Sequence, residues 1–319
     1  MASRGRYKNV QPFLVMNIRS CATASAAVAL LLLSMSHVQA QELEPRAYSP
    51  NPVGINFVIG GYVHSTGGVL FDPSLRFDNV EATLDSATVG YGRTFGAFGR
   101  TASAMFALPY VDGHVSGDIG EMHRRADRSG AGDLRLKLAI NLLGGEALAP
   151  REFAQRKPGT TLGASLSVVA PTGQYYPDKL VNLGTNRWAF KPELGLSHPM
   201  GRWYLEAYAG VWLFTDNDDF FGGQRREQDP MASLQAHASY TFRPRLWLAA
   251  DATWYRGGDT TIDGVAKADM QENLRVGLTL SLPLTARHSL KLAWSEGAST
   301  RIGGDFTTYA IAWQYAWFD

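Results

Sequence analysis

Along most of this chain, apolar residues alternate one for one with small or polar ones. After Asn273, the residues Leu274, Val276, Leu278, Leu280 and Leu282 alternate with Arg275, Gly277, Thr279 and Ser281. In the same way Leu134, Leu136, Leu138, Ile140 and Leu142 alternate with Asp133, Arg135, Lys137, Ala139 and Asn141, and Leu290, Leu292 and Trp294 with Lys291, Ala293 and Ser295. A period of two residues sends successive side chains to opposite faces of a β-strand. Extended along the chain, the pattern predicts twelve strands near 52–63, 82–94, 97–111, 131–143, 159–171, 186–198, 202–215, 230–242, 245–257, 272–283, 287–297 and 305–318. Each is about ten residues or longer, close to the roughly 9 to 11 that a tilted strand needs to cross a bilayer.

The connections are short and long by turns. Tight ones fall at Phe95-Gly96, Pro199-Met200-Gly201, Arg243-Pro244 and Leu284-Thr285-Ala286. Longer ones, rich in Gly, Asp and Asn, fall near 64–81, 112–130, 172–185, 216–229, 258–271 and 298–304. With both termini in the periplasm, the longer set lies on the outside of a transmembrane antiparallel up-and-down β-barrel. Residues 144–158 break the rule, because they belong to the periplasmic set yet include Ala149-Pro150-Arg151-Glu152-Phe153-Ala154, a candidate short helix.

A soluble β-sandwich or small soluble barrel also alternates. The aromatic residues favour the membrane: Trp188, Trp203, Trp254, Trp294, Trp313 and Trp317 fall near strand ends on the apolar face, where an interfacial girdle belongs. The last strand carries Tyr309, Ile311, Trp313, Tyr315 and Trp317 on one face and ends Trp317-Phe318-Asp319. It resembles the C-terminal aromatic signal by which outer-membrane barrels engage the barrel-assembly machinery, except that Asp319 follows the last aromatic residue.

The first forty residues read as an export signal. Arg4, Arg6, Lys8 and Arg19 precede an apolar run from Ala22 to Leu33, and Val38-Gln39-Ala40 supplies small residues for cleavage. The run is shorter than the roughly 20 residues of a spanning helix. The expected organisation is thus a signal peptide over 1–40 and a barrel over 41–319, with Met16 an alternative start. Cys21, the one cysteine, lies in the signal, so the exported part has no thiol chemistry. A net charge of +1 gives no indication of a nucleic-acid partner, and a mean hydropathy of -0.14 is compatible with a barrel whose strands face lipid on one side only.

If the apolar face meets lipid, its neighbours face the lumen: Arg135, Lys137, Lys191, Glu193, Glu206, His237, Asp251, Arg275 and Lys291. An Arg or Lys facing lipid at mid-depth costs about 2–4 kcal/mol, so these charges point inward, where they either pair off or line a watery path. By the same register an arginine is expected to be rejected at Leu278 and tolerated at Thr279. Five of the nine are cations that outnumber Glu193, Glu206 and Asp251, which predicts a mildly positive lumen.

No GxSxG, HExxH, P-loop or CxxC spacing occurs, so no catalytic residue, metal site or cofactor is assigned. Asp216, Asp218 and Asp219 lack the distal Glu of a calcium loop. His237, beside Gln235 and Ser239, reads as a hydrogen-bonded lumen residue. The pairs Tyr175-Tyr176 and Phe220-Phe221 fall in outer loops, where they either meet an aromatic solute or fold over the barrel mouth.

Three stretches are familiar: ELEPRAYSPNPVGINFVIGGY (42–62), VVAPTGQYYPDKLVNLGTNRWAFKPELGL (168–196) and the closing aromatic strand. Together they resemble the proteobacterial outer-membrane family named for phenol meta-pathway degradation, from Glu42 to Phe318. The resemblance implies a barrel transporter of the bacterial outer membrane that imports aromatic compounds, with lipid and a small solute as partners. It supplies no binding residue. Two other classes stay open: a structural barrel with a plugged lumen, in which the stretch from Glu42 to Pro52 folds inside, and an outer-membrane enzyme such as a lipase.

Overall fold

The computed structural model describes residues 43–71, 77–119, 122–179 and 181–319. The expected signal peptide lies outside them. In chain order the strands are β1 (Ile55–Leu70), β2 (Phe77–Ala97), β3 (Arg100–Ile119), β4 (Met122–Ala131), β5 (Leu134–Leu143), β6 (Thr161–Ala170), β7 (Ala189–Met200), β8 (Trp203–Phe214), β9 (Asn217–Phe220), β10 (Gln224–Gln228), β11 (Met231–Arg243), β12 (Leu246–Gly257), β13 (Thr260–Ile262), β14 (Val265–Ala266), β15 (Gln271–Pro283), β16 (His288–Thr300) and β17 (Gly303–Phe318). One helical turn, α1 (Pro150–Phe153), lies in the 144–160 connection, as the sequence suggests.

Adjacent wall strands pair antiparallel in the order β2-β1-β17-β16-β15-β12-β11-β8-β7-β6-β5-β3, and the pairing of β2 with β3 closes the sheet into a barrel, with β1 paired to β17 from Ile55↔Phe318 to Leu70↔Gly303. The strands β4 and β5 both pair with β3, at its upper and lower parts, and act as one wall strand interrupted at Gly132-Asp133. The barrel therefore has twelve staves. Through the membrane band closure leaves no sheet edge, so the backbone polar groups of the wall there are satisfied within the protein, which the hydrocarbon of a bilayer requires; the outer edge of β4 stays unpaired above it.

The outer face carries Leu136, Leu138, Leu194, Leu196, Leu205, Leu234, Leu278 and Ile311, all exposed, while their strand neighbours are turned inside. Aromatic rings edge this band at the end with short turns: Tyr91 contacts both Phe106 and Trp317, and Trp203 contacts Tyr240.

Four long connections behave differently from expectation. The 64–81 and 112–130 segments are mainly strand, because β1 to β4 continue well above the membrane band. Their period of two persists with its phase reversed. The outer face turns polar at His64, Asp85, Asp112 and His114, while Val69, Ala82 and Val115 pack inside with Phe306. The 216–229 and 258–271 segments build a separate sheet in the order β14-β13-β10-β9.

Candidate solute pathway

The interior is crossed by a strap, residues 43–54, that enters beneath β1 and lies against the far wall. Glu44 pairs with Lys137 of β5. The Arg46 amide donates to Glu206 Oε2 at 2.7 Å, and its guanidinium donates to Ser239 Oγ and Thr241 Oγ1 at 3.0 and 2.6 Å. The Tyr48 hydroxyl donates to Glu193 Oε1 at 2.9 Å and lies 2.8 Å from Ser165 Oγ. Its ring occupies the space above Gly163 and Gly195, register partners on β6 and β7, where any Cβ would collide with it. The Tyr48 carbonyl accepts from Asn141 Nδ2 at 3.0 Å. The strap's lower end is tied by Val53 N–H to the Leu148 carbonyl and by Gly54 N–H to the Thr94 carbonyl.

Behind the strap lies the charged half of the wall. Lys191 and Glu193 form a buried pair at 3.1 Å, and Gln235 Nε2 donates to Glu193 Oε2 at 3.0 Å. Glu206, His237 and Asp251 occupy one register row across β8, β11 and β12. His237 Nδ1 lies 2.7 Å from Asp251 Oδ1, and Asp251 Oδ2 accepts from Thr279 Oγ1 at 2.6 Å. Arg275 donates to Ser295 Oγ and to the Phe306 carbonyl at 3.2 and 2.8 Å. Arg135 has a buried Nε without a hydrogen-bond partner among the described residues, and Lys291 is exposed inside the lumen.

All nine residues picked from alternation thus sit on the inner face, but most of them hold the strap or one another. Sequence reasoning missed Glu44, Arg46 and Tyr48, which precede the first strand and carry no alternation signal. It also missed Trp212 and Trp247, buried tryptophans on the inner face.

The other half of the wall is uncharged through the membrane. The inward positions of β1 are Ile55, Phe57, Ile59, Gly61, Val63, Ser65, Gly67 and Val69, paired across the β1–β17 register with Phe318, Ala316, Gln314, Ala312, Ala310, Thr308, Phe306 and Gly304. Likewise β2 from Leu84 to Gly96 and β3 from Thr101 to Gly113 put only small, hydroxyl-bearing or apolar side chains inward. Opposite charges of the first half, this strip runs from the periplasmic mouth to the apolar group of Val69, Val80, Ala82, Val115, Val181 and Phe306.

Val181 belongs to the connection between β6 and β7, which folds over the outer mouth. Asp133, 1% exposed, anchors it by accepting from Gly173 N at 2.9 Å, Thr185 N at 2.9 Å and Thr185 Oγ1 at 2.7 Å. Arg128 Nε donates to the Val181 carbonyl at 3.1 Å. In this cover Tyr175 donates to the Asp219 carbonyl at 3.2 Å and accepts from Asn217 Nδ2 at 2.9 Å, and burial pushes its phenol up from the ordinary range. Tyr176 is exposed, whereas Phe220 is buried against Ile262 in the small outer sheet with Phe221 half-buried beside it. Arg225 pairs with Asp216 and lies 3.4 Å from Asp218, and these carboxylates hold its guanidinium above the ordinary range. Among the described residues no group of three or more His, Cys, Asp or Glu side chains gathers as a metal site.

An outer membrane channel from Pseudomonas putida F1 superposes on this barrel with a TM-score of 0.75 and 25% identity, over 86% of this chain and 100% of that one. The β domain of the Bordetella autotransporter BrkA is more distant, with a TM-score of 0.49 and 12% identity over 83% of this chain and 100% of that one. No curated protein matches the sequence. The architecture and the first of these likenesses place the protein in the bacterial outer membrane. The family model described as "Putative MetA-pathway of phenol degradation" matches residues 71–311, and the chain belongs to that family.

Proposed function

We propose that this protein is an energy-independent channel through which small hydrophobic or aromatic solutes cross the outer membrane, and that it has no catalytic role. The likeness to the Pseudomonas putida channel supports passage. The observation that carries the solute class is the uncharged inner strip on β17, β1, β2 and β3, which faces a charged wall already engaged with the strap. An apolar solute moving along that strip displaces no water from a fixed charge, and desolvating such a charge is the main electrostatic barrier in a narrow pore.

The His237–Asp251 pair is half of a charge-relay arrangement, yet His237 Nε2 has no hydrogen-bond partner among the described residues. A hydrolase would need a hydroxyl or thiol nucleophile within reach of that atom. A second reading, a plugged barrel without transport, is favoured by the strap across the lumen.

Export by the 1–40 signal and insertion through the closing aromatic strand complete the proposal. Purified protein in liposomes is expected to admit phenol faster than protein-free liposomes do, and to migrate differently on gels before and after boiling. A folded, heat-modifiable protein that passes no solute favours the plugged reading.

A further inference from the structure

The periplasmic end of the lumen holds a cavity of about 770 Å³ between the strap and the inner wall. Five basic side chains border it, Arg46, Arg156, Arg202, Arg245 and Lys291, and no aspartate or glutamate does. Several of these are committed. Arg46 is bonded to Ser239 and Thr241, Arg156 to the Gly144 carbonyl, and Arg245 to the Thr285 and Ala286 carbonyls. Lys291 is not: it forms no ion pair among the described residues and stands exposed within the lumen beside the β17 edge of the uncharged strip, whereas half-buried Arg135 lies beside its β3 edge at Ala107 and exposed Arg202 lies on the β7–β8 turn.

Lys291 shares a register row with Trp247, through Ser281 between them. The Lys291 Nζ lies 5.8 Å from the Trp247 ring centroid. The Arg46 guanidinium lies 4.7 Å from the same ring and 4.5 Å from that of Tyr204. The cavity thus presents the small exposed part of Trp247, whose ring lies under the two cations, with Phe57 and Ile59 of the strip also on its surface.

We infer that this vestibule is a binding site for small aromatic carboxylates, with the carboxylate at Lys291 Nζ and the ring against Trp247. The inference rests on the reading of the protein as a solute channel and names one solute class it would hold. Glu44, Asp251 and Glu206 lie within electrostatic reach of Lys291 but none makes an ion pair with it, so an arriving carboxylate can still form a charge-assisted hydrogen bond to its ammonium. A neutral phenol forgoes that bond, and an aliphatic acid as small as acetate has no ring to set on Trp247. The cavity is large enough for a single-ring acid, since ligand pockets typically span roughly 300–1,000 Å³.

Calorimetric titration of the purified barrel in detergent at low salt, with benzoate, phenol and acetate as probes, tests the site. Benzoate is expected to bind at least about tenfold more tightly than phenol or acetate. Lys291→Met should weaken benzoate by about tenfold and Lys291→Arg should restore it, because only the charge is needed. Trp247→Leu should weaken benzoate while leaving acetate unchanged. Heat-dependent gel migration verifies that each variant is folded. Benzoate bound equally by wild type and a folded Lys291→Met protein, or no more tightly than acetate, overturns the site. Phenol flux that persists while benzoate binding is undetectable discards this site and leaves the channel reading standing. Absence of flux for every solute discards the channel reading itself.

Discussion

Tyr48 of the strap fills the space that a side chain at position 195 would need, so the tyrosine ring and Gly195 are mutually dependent. The socket is completed by Gly163 on the adjacent strand and by the hydrogen bond to Glu193. Such close approach of a ring to backbone is possible only where no Cβ intervenes.

Gly195→Val is therefore expected to expel Tyr48 without disturbing the wall, because valine suits a strand. The strap would then be held within the lumen chiefly by Glu44 and Arg46, with its lower end still tied at Val53 and Gly54. Single-channel recordings should show larger or more variable conductance than wild type. Tyr48→Phe is the milder counterpart, since it keeps the ring and removes only the bonds to Glu193 and Ser165. An unaltered conductance in a folded Gly195→Val protein would mean that the strap does not limit the pore.

The outer cover depends on Asp133 in the same concentrated way. Its carboxylate takes three donors from a segment that lies 40 to 52 residues away in sequence. Asp133→Ala leaves those donors unpaired, at about 1–3 kcal/mol for each that stays buried. The prediction is a loosened cover on an intact barrel: faster cleavage within 171–188 by protease added to intact cells, with heat-modifiable migration retained. Protection equal to wild type would show that the Val181 contacts alone hold the cover.

At Leu278 and Thr279 the structure changes a prediction that the register alone supports. Leu278 is 45% exposed on the outer face, and Leu278→Arg is expected to impair assembly at a cost of about 2–4 kcal/mol near mid-depth. Thr279 does face the lumen, but it is 1% exposed and donates to Asp251. Arginine there meets packed side chains rather than water, so Thr279→Arg should also reduce the folded yield. Thr279→Ser, which keeps the donor, should be tolerated, as should Leu278→Phe. Gel-shift assays of folded fraction at matched expression compare the four.

Twelve staves and their facing were legible because lipid enforces alternation: each Leu–Arg or Leu–Thr neighbour pair has one permitted orientation. Where that constraint ends, so does the signal. Above the membrane, the segments around Val69, Ala82 and Val115 keep the period and reverse its phase, so they read as loops. The outer sheet of β9, β10, β13 and β14 rests on Phe220 and Ile262, a contact between segments some forty residues apart. The inward fold of the 42–52 stretch was legible only as an alternative, and its anchors were hidden for a related reason. Glu44, Arg46 and Tyr48 gain meaning only through Lys137, Glu206 and Glu193, contacts that span some 90 to 160 residues. The same contacts revise the charge count, because Lys137 is paired with an acid that lies outside the strands.

Selectivity follows from that revised count. Of the inward cations expected from the sequence, Lys137 and Lys191 sit with Glu44 and Glu193, and Arg275 is fixed by Ser295 and the Phe306 carbonyl. Lys291 is exposed at the β17 edge of the uncharged strip, and half-buried Arg135 lies beside its β3 edge at Ala107. Neutralising Arg275 and Lys291 should then have separable effects. Arg275→Met is expected to reduce stability, because buried partners lose their donor, while the flux ratio of benzoate to phenol stays as in wild type. Lys291→Met is expected to leave stability nearly unchanged and to lower that ratio at low salt, where fixed charge is least screened. Raising the salt should shrink the difference between wild type and Lys291→Met. Equal ratios for all three proteins in liposomes would place selectivity at the outer cover, where Tyr176, exposed above the mouth, is the next residue to change.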